Sequence, residues 1–208
     1  MQGLGLRKKF FAWALRKGDK VNLKTYDSYK RKLFREVNGT VVEIGPGTGV
    51  NFEYLPKRIS WIGIEPNAAF HERLRRKAAE KGIQADLLLG SASEIPLENN
   101  SADFLICTLV LCSVDDVDKA LQEIRRILKP GGKMIFIEHV AARPGSPVYF
   151  FQTLINPFTI MMADGCHANR QTWISLENAH FSALEYSHYS VHSTMILHRP
   201  HIMGIATK

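Results

Sequence analysis

Thr40-Val41-Val42-Glu43-Ile44-Gly45-Pro46-Gly47-Thr48-Gly49 reads as a short buried strand running straight into a glycine-rich turn. The β-branched run Thr40 to Val42, with Ile44 two places on, suits a pleated and largely buried position. Gly45, Gly47 and Gly49 let the backbone turn sharply and approach a ligand closely. The spacing is G-x-G-x-G; a dinucleotide fingerprint would place its third glycine at position 50, which is Val50. Glu43 sits inside the strand, and a carboxylate there needs a partner, either a cationic ligand or loop amide donors.

A lone glycine loop is a weak signal that a chance turn explains equally well. The next strand strengthens it. Ser60-Trp61-Ile62-Gly63-Ile64-Glu65 is a second short apolar run ending in an acid, 20 residues beyond Gly45. That is close to the spacing at which a carboxylate holds ribose hydroxyls in βαβ nucleotide sites.

Composition narrows the class. The chain has 208 residues, 45% hydrophobic and 23% charged, enough for one globular domain with a sizeable core. No apolar run approaches the length of a membrane span, and no signal peptide is evident. Cys107, Cys112 and Cys166 form no C-x-x-C pair and read as reduced thiols in a cytoplasmic setting. The net charge of +7 is uneven. Residues 1–36 carry eleven Lys and Arg against three acids, and the rest carry sixteen against seventeen. A near-neutral body with a basic leader argues against a nucleic-acid groove.

Residues 1–36 read as a basic, amphipathic helical leader and 37–208 as the main globular domain. In the leader, Leu6, Phe10, Trp13 and Ala14 share helical spacing among basic residues, a pattern that suits an anionic membrane surface as well as packing on the domain. Downstream, strands alternate with helical patterns, which calls for a parallel sheet. A first crossover helix is expected over 48–55 and a second over 67–81, with Asn67 as its cap. A third, capped by Asp115, should run to Leu128. Strands are expected at 84–89, 102–112 and 133–140. Residues 144–168 are rich in aromatics and Met and read as a substrate-pocket insertion. A helix over 169–179 and an antiparallel pair, 181–188 with 192–207, complete the chain.

Val42 to Gly49 together with Gly63-Ile64-Glu65-Pro66 resembles motifs I and II of class I S-adenosylmethionine-dependent methyltransferases. The resemblance implies a Rossmann-like, doubly wound, mostly parallel seven-stranded α/β sheet with an antiparallel edge strand. It implies that Glu43, Gly45, Gly47 and Gly49 face the methionine part of S-adenosylmethionine and that Glu65 and Pro66 take the ribose. In the family's third motif an acid commonly meets the adenine. Here that place is Ser91, so Ala92 or Glu94 would substitute. Cys107, Thr108 and Leu109, at the end of the fourth strand, are expected to line the cofactor.

Later strings narrow the match: Cys107 to Val114, Glu138-His139-Val140-Ala141-Ala142, Asp164-Gly165-Cys166, Arg170-Gln171-Thr172-Trp173 and Arg199 to Gly204 resemble the methyltransferase-like 7 proteins. These are alkyl-thiol S-methyltransferases of animal endoplasmic reticulum and lipid droplets. The resemblance spans about residues 26–208, and those proteins carry a hydrophobic anchor where this chain has its short basic leader.

The chemistry this implies is S-methylation of a small thiol or hydrogen sulfide, giving S-adenosylhomocysteine. Alignment and water exclusion carry most of the rate, and a base near the methyl group helps because simple thiols are mostly protonated at neutral pH. His139 is the first candidate base; Asp164 is the second, as base or as orienter of His139. Each has a plainer reading, as a loop-bonding histidine and an Asp-Gly turn. Cys112 and Cys166 read as packing or pocket lining, and the spaced histidines His188/His192 and His198/His201 lack the company a metal site needs. The competing readings are a phosphatidylethanolamine N-methyltransferase at a membrane surface, and a non-catalytic cofactor-binding or adaptor protein.

Overall fold

The computed structural model describes residues 6–193 and 195–208, the side chains of 6–11 and 14 excepted. The leader forms a single helix, α1 (Leu6–Leu33), that passes straight through Gly18. Of the side chains on which the membrane-surface reading rests, those of Leu6, Phe10 and Ala14 lie outside the described residues, and Trp13 is exposed.

The body follows in order: β1 (Gly39–Ile44), β2 (Ile59–Ile64), α2 (His71–Lys81), β3 (Gln84–Leu88), β4 (Ala102–Thr108), α3 (Val117–Ile127), β5 (Leu128–His139), α4 (Pro147–Met162), α5 (Thr172–Asn178), β6 (Ala183–Ser190) and β7 (Pro200–Thr207). The strands form one sheet ordered β3-β2-β1-β4-β5-β7-β6. The first five are parallel, and β7 runs antiparallel to both neighbours. The central strands are buried on both faces, which is why they read as unbroken Val and Ile runs.

Several elements depart from expectation for local reasons. The first crossover is only a 3-10 turn, Val50–Glu53. It is trapped between left-handed Gly49 and Pro56, whose ring disfavours helix at the preceding residue. Helix α2 is preceded by a 3-10 turn, Ala68–Phe70, capped by Asn67. Asp116, not Asp115, caps α3, accepting from Lys119 N at 2.9 Å. Strand β5 begins at Leu128 because a register shift opposite Ala102 and Phe104 absorbs the Pro130-Gly131-Gly132 segment. Helix α5 starts late because residues 169–171 are tied elsewhere: the Arg170 carbonyl accepts from Ala141 N.

The largest departure is α4. Its inward side carries polar Gln152 and Thr159, both buried. Its outward side carries Phe150, Leu154 and Phe158 at 64%, 64% and 61% exposure, with Phe151, Met161 and Met162 also exposed. The segment expected to wall an apolar pocket therefore turns its largest apolar groups outward. Gln152 explains the inward side: it accepts from Ala142 N (2.7 Å) and donates to the carbonyls of Leu197 (2.8 Å) and Val140 (3.3 Å). Satisfying that loop backbone takes the place of apolar packing.

Helix α1 is bound across the sheet's carboxyl edge. Asp19 accepts from Thr48 Oγ1 (2.6 Å) and Arg73 Nη2 (2.7 Å), joining the helix to the glycine loop and α2. At its other end the Tyr26 hydroxyl lies 2.8 Å from Nε2 of His201 on β7, and Tyr29 packs on Tyr189.

Candidate active site

The glycine loop leaves β1 in three left-handed steps, with φ of 59°, 53° and 71° at Gly45, Gly47 and Gly49. Each glycine meets a different constraint. A Cβ on Gly45 would lie 2.6 Å from Val110 Cγ2, and one on Gly49 would lie 2.9 Å from the Phe52 ring. On Gly47 the nearest atom would be 3.9 Å away, so this residue faces open space.

Glu65 ties the loop to the next strand. Its carboxylate accepts from Gly47 N (3.0 Å) and from Asn67 N (2.8 Å), one bond per oxygen, which leaves lone pairs for further donors. Burial pushes its pKa up, and the two backbone N–H groups pull against that. Pro66 is exposed between Glu65 and Asn67. Ser91 and Ala92 stand just past β3, Ser91 exposed and Ala92 buried, in a turn closed by Glu94 N donating to the Ser91 carbonyl.

Glu43 is partnered differently from either expectation. Its buried carboxylate accepts from Trp61 Nε1 (2.9 Å) and Asn51 Nδ2 (2.8 Å), with neither a ligand nor a loop amide needed. The reason is register: β1 and β2 are parallel neighbours, and Trp61 reaches the acid from two residues before its pairing partner Gly63. Burial raises the Glu43 pKa. Lys30, itself buried and pushed down to about 8 by desolvation, adds a compensating charge. Asn51 also donates to Thr108 Oγ1 at 2.6 Å, linking the loop to the end of β4. Its Oδ1 is buried with no partner.

Cys107 does not line the crevice. It is fully buried, and its thiol donates to Glu138 Oε1 at 3.1 Å. Alternation along β4 puts Thr108 and Cys107 on opposite faces, and only Thr108 meets Asn51. Leu109 leaves the strand at φ 60° with its N–H donated to the Ile137 carbonyl. A non-glycine residue held in that region marks a backbone fixed by its surroundings. Glu138 supplies much of the fixing: it accepts from Val110 N (3.1 Å) and Cys112 N (3.3 Å). Arg170 adds bonds to the carbonyls of Leu111 (2.7 Å) and Val114 (2.6 Å).

His139 ends β5 and is buried. Its ring stacks on His198 with centroids 5.1 Å apart, and Nε2 lies 3.3 Å from the Leu197 carbonyl. A carbonyl only accepts, so Nε2 carries the proton there and Nδ1 holds the free lone pair. Nδ1 is buried without a nitrogen or oxygen partner. The Cys166 thiol lies beside the ring, as do the imidazoles of His198 and His201. Asp164, by contrast, is exposed in a left-handed turn (φ 50°) and makes no hydrogen bond to His139. The Asp-Gly turn reading describes it better than the orienter reading.

Residues 42–136 match the family model described as a methyltransferase domain. The chain is 36% identical to human thiol S-methyltransferase TMT1A over 212 residues, spanning 97% of this chain and 87% of that protein. The chain belongs to the thiol S-methyltransferase family. Human TMT1B is 37% identical over 193 residues, 88% of this chain and 79% of that protein. The match to TMT1A carries the likeness into α1, beyond the span of about 26–208 expected from motifs. A Thermotoga maritima SAM-dependent methyltransferase, described as a possible histamine N-methyltransferase, superimposes with a TM-score of 0.70. It is 21% identical and covers 97% of this chain and 98% of that one; this likeness speaks to fold alone.

The methyltransferase uses S-adenosylmethionine and releases S-adenosylhomocysteine. The residues present fit that molecule. Gly47 opens onto free space, Glu65 keeps unused lone pairs, and Asn51 Oδ1 is a buried acceptor awaiting a donor such as an ammonium group. Among the described residues no group of three or more His, Cys, Asp and Glu is placed to hold a metal ion, and no helix is long and apolar enough to cross a membrane.

Glu138 and Asn51 were not singled out as candidate site residues from pattern alone. Glu138 had the clearest signal: an acid inside the apolar run Met134 to Val140 must have a reason to be buried.

Proposed function

We propose that this methyltransferase methylates small aliphatic thiols, binding S-adenosylmethionine over β1, β2 and β4 with α1 as a lid. The observation that carries this reading is the identity to thiol S-methyltransferases along nearly the whole chain. In this pose Gly45, Gly47 and Gly49 pass beneath the methionine part, and Asn51 Oδ1 takes its ammonium. Glu65 takes the ribose hydroxyls with Pro66 beside it, and Ser91 and Ala92 border the adenine. Thr108 and Leu109 close the sulfonium end.

S-Adenosylmethionine supplies a methyl group already activated as a sulfonium. The chain's own residues hold and deprotonate the acceptor. Glu138 and Arg170 hold the 109–114 loop that borders the reacting end. His139 Nδ1 is the basic nitrogen for the acceptor thiol, its ring steered by the Leu197 carbonyl and the His198 stack. Burial of this corner keeps water away from both partners. Incubation with S-adenosylmethionine and ethanethiol should yield ethyl methyl sulfide; turnover on amines or phenols but on no thiol would overturn the assignment.

The outward apolar face of α4 favours one addition, contact with an anionic lipid surface by α4 together with the basic leader. Sedimentation with anionic and neutral vesicles tests it: binding lost in Phe150→Ser/Phe158→Ser supports it. Methylation of phosphatidylethanolamine in those vesicles, with no thiol turnover, would favour a lipid acceptor instead.

A further inference from the structure

Cys112 and Cys166 are the nucleophilic groups that the methyl-transfer reading leaves unused. They lie side by side on crossing backbones: His167 N donates to the Cys112 carbonyl at 2.8 Å, and a Cβ on Gly165 would sit 2.9 Å from the Ser113 carbonyl. The two thiols are each other's strongest electrostatic neighbour. Their setting differs sharply. Cys112 is buried, its pKa raised by its contact with Cys166 and by desolvation. Cys166 is half-buried and lies beside the rings of His139 and His198. Contact with Cys112 first, then with His139, holds its thiol down against the desolvation that would raise it. The third cysteine, Cys107, is fully buried with its thiol donated to Glu138.

We propose that Cys166 and Cys112 form a thiol–disulfide exchange site that accepts small dialkyl disulfides at the mouth of the acceptor corner. The location rests on the proposed function only in that a disulfide is the oxidised form of the acceptor class. The Cys166 thiolate attacks one sulfur of R–S–S–R; the Cys166–S–S–R bond forms, and R–S⁻ leaves and takes a proton from solvent. Cys112 then gives up its proton, with the His139 ring beside Cys166 as the nearby base, and attacks the Cys166 sulfur. The Cys112–Cys166 bond forms and the second R–S⁻ leaves. The protein loses two electrons and the small disulfide gains them, so no other oxidant is needed. Attack starts at Cys166 because it is the more exposed of the two thiols and lies beside imidazole rings that favour its thiolate. The cross-link would pin the 109–113 loop to the 163–167 turn, closing the acceptor corner until a reduced thiol reopens it.

The test needs neither S-adenosylmethionine nor turnover, so its failure is separable from failure of the methylation reading. The full chain is incubated with hydroxyethyl disulfide, quenched with an alkylating agent, and mapped by mass spectrometry. The native protein should lose two hydrogen masses and give one linked peptide containing Cys112 and Cys166, with Cys107 alkylated as before. Cys112→Ser should stop at one hydroxyethylthio adduct on Cys166, and Cys166→Ser should lose the reaction. First modification at Cys112 or Cys107, or no linked peptide in the native chain, would overturn the proposal. Because the native chain alone decides this, the outcome does not depend on either variant folding.

Discussion

Glu138 accepts a hydrogen bond from Val110 N at 3.1 Å, so the buried acid at the end of β5 holds the loop at the end of β4. Burial raises its pKa to about 7, against an ordinary 4.5, despite the N–H and thiol donors that favour the charged form. Between those two values the folded chain binds more protons at this site than the unfolded chain does. Its contribution to stability is therefore full below 4.5 and falls as pH rises to about 7. Denaturant unfolding of the native protein and Glu138→Gln across that window should show the native chain losing ground to the variant as pH rises. A constant difference would contradict the assignment.

His201 runs the other way. Its Nδ1 faces the Arg199 carbonyl at 3.1 Å, so that nitrogen donates and Nε2 accepts from the Tyr26 hydroxyl. Burial lowers its pKa from 6.5 to about 4, so its contribution is present above 6.5 and lost as pH falls toward 4. Tyr26→Phe should cost about 0.5–1.5 kcal/mol near neutral pH. Hydrogen exchange should rise in α1 first; unchanged protection there would show that this bond does not hold the helix.

Asp19 joins α1 to the glycine loop through Thr48 and Arg73. Asp19→Ala should lower stability by about 1.5–3 kcal/mol, the range for hydrogen bonds to charged groups. If α1 is the lid, affinity for S-adenosylhomocysteine in calorimetry falls as well. Lost stability with unchanged affinity would mean that α1 braces the fold without covering the ligand.

Glu65→Ala tests the ribose contact. Removing the carboxylate also releases Gly47 N and Asn67 N. Affinity for S-adenosylmethionine should drop by about 1–3 kcal/mol in calorimetry. An unchanged affinity would place the cofactor elsewhere.

His139→Ala should lower kcat by ~10²–10⁴-fold with cofactor affinity preserved, as for loss of a general base. A thiol of low pKa as acceptor should recover part of that loss. Equal losses for all thiols would reassign His139 to structure, through its bond with the Leu197 carbonyl.

The parallel sheet was readable because Val41, Val42, Ile64, Leu105 and Ile135 are buried and need no partner beyond apolar neighbours. Gly45 to Gly49 and Glu65 were readable because few residue types meet their backbone and charge demands. What pattern could not reach was pairing across distance. The partner of Glu43 is Trp61, the partner of Cys107 is Glu138, and the neighbour of His139 is Cys166 rather than Asp164. Each depends on strand register or on a turn that local sequence leaves open. Helix α4 misled for a related reason: its apolar residues were visible, but their direction was decided by Gln152 serving the backbone of Ala142 and Leu197.

The central claim is best tested by mass spectrometry of one reaction: the full chain with S-adenosylmethionine and ethanethiol. The account predicts ethyl methyl sulfide and S-adenosylhomocysteine in equal amounts. S-Adenosylmethionine bound but no thioether formed from this or any other small thiol would contradict it.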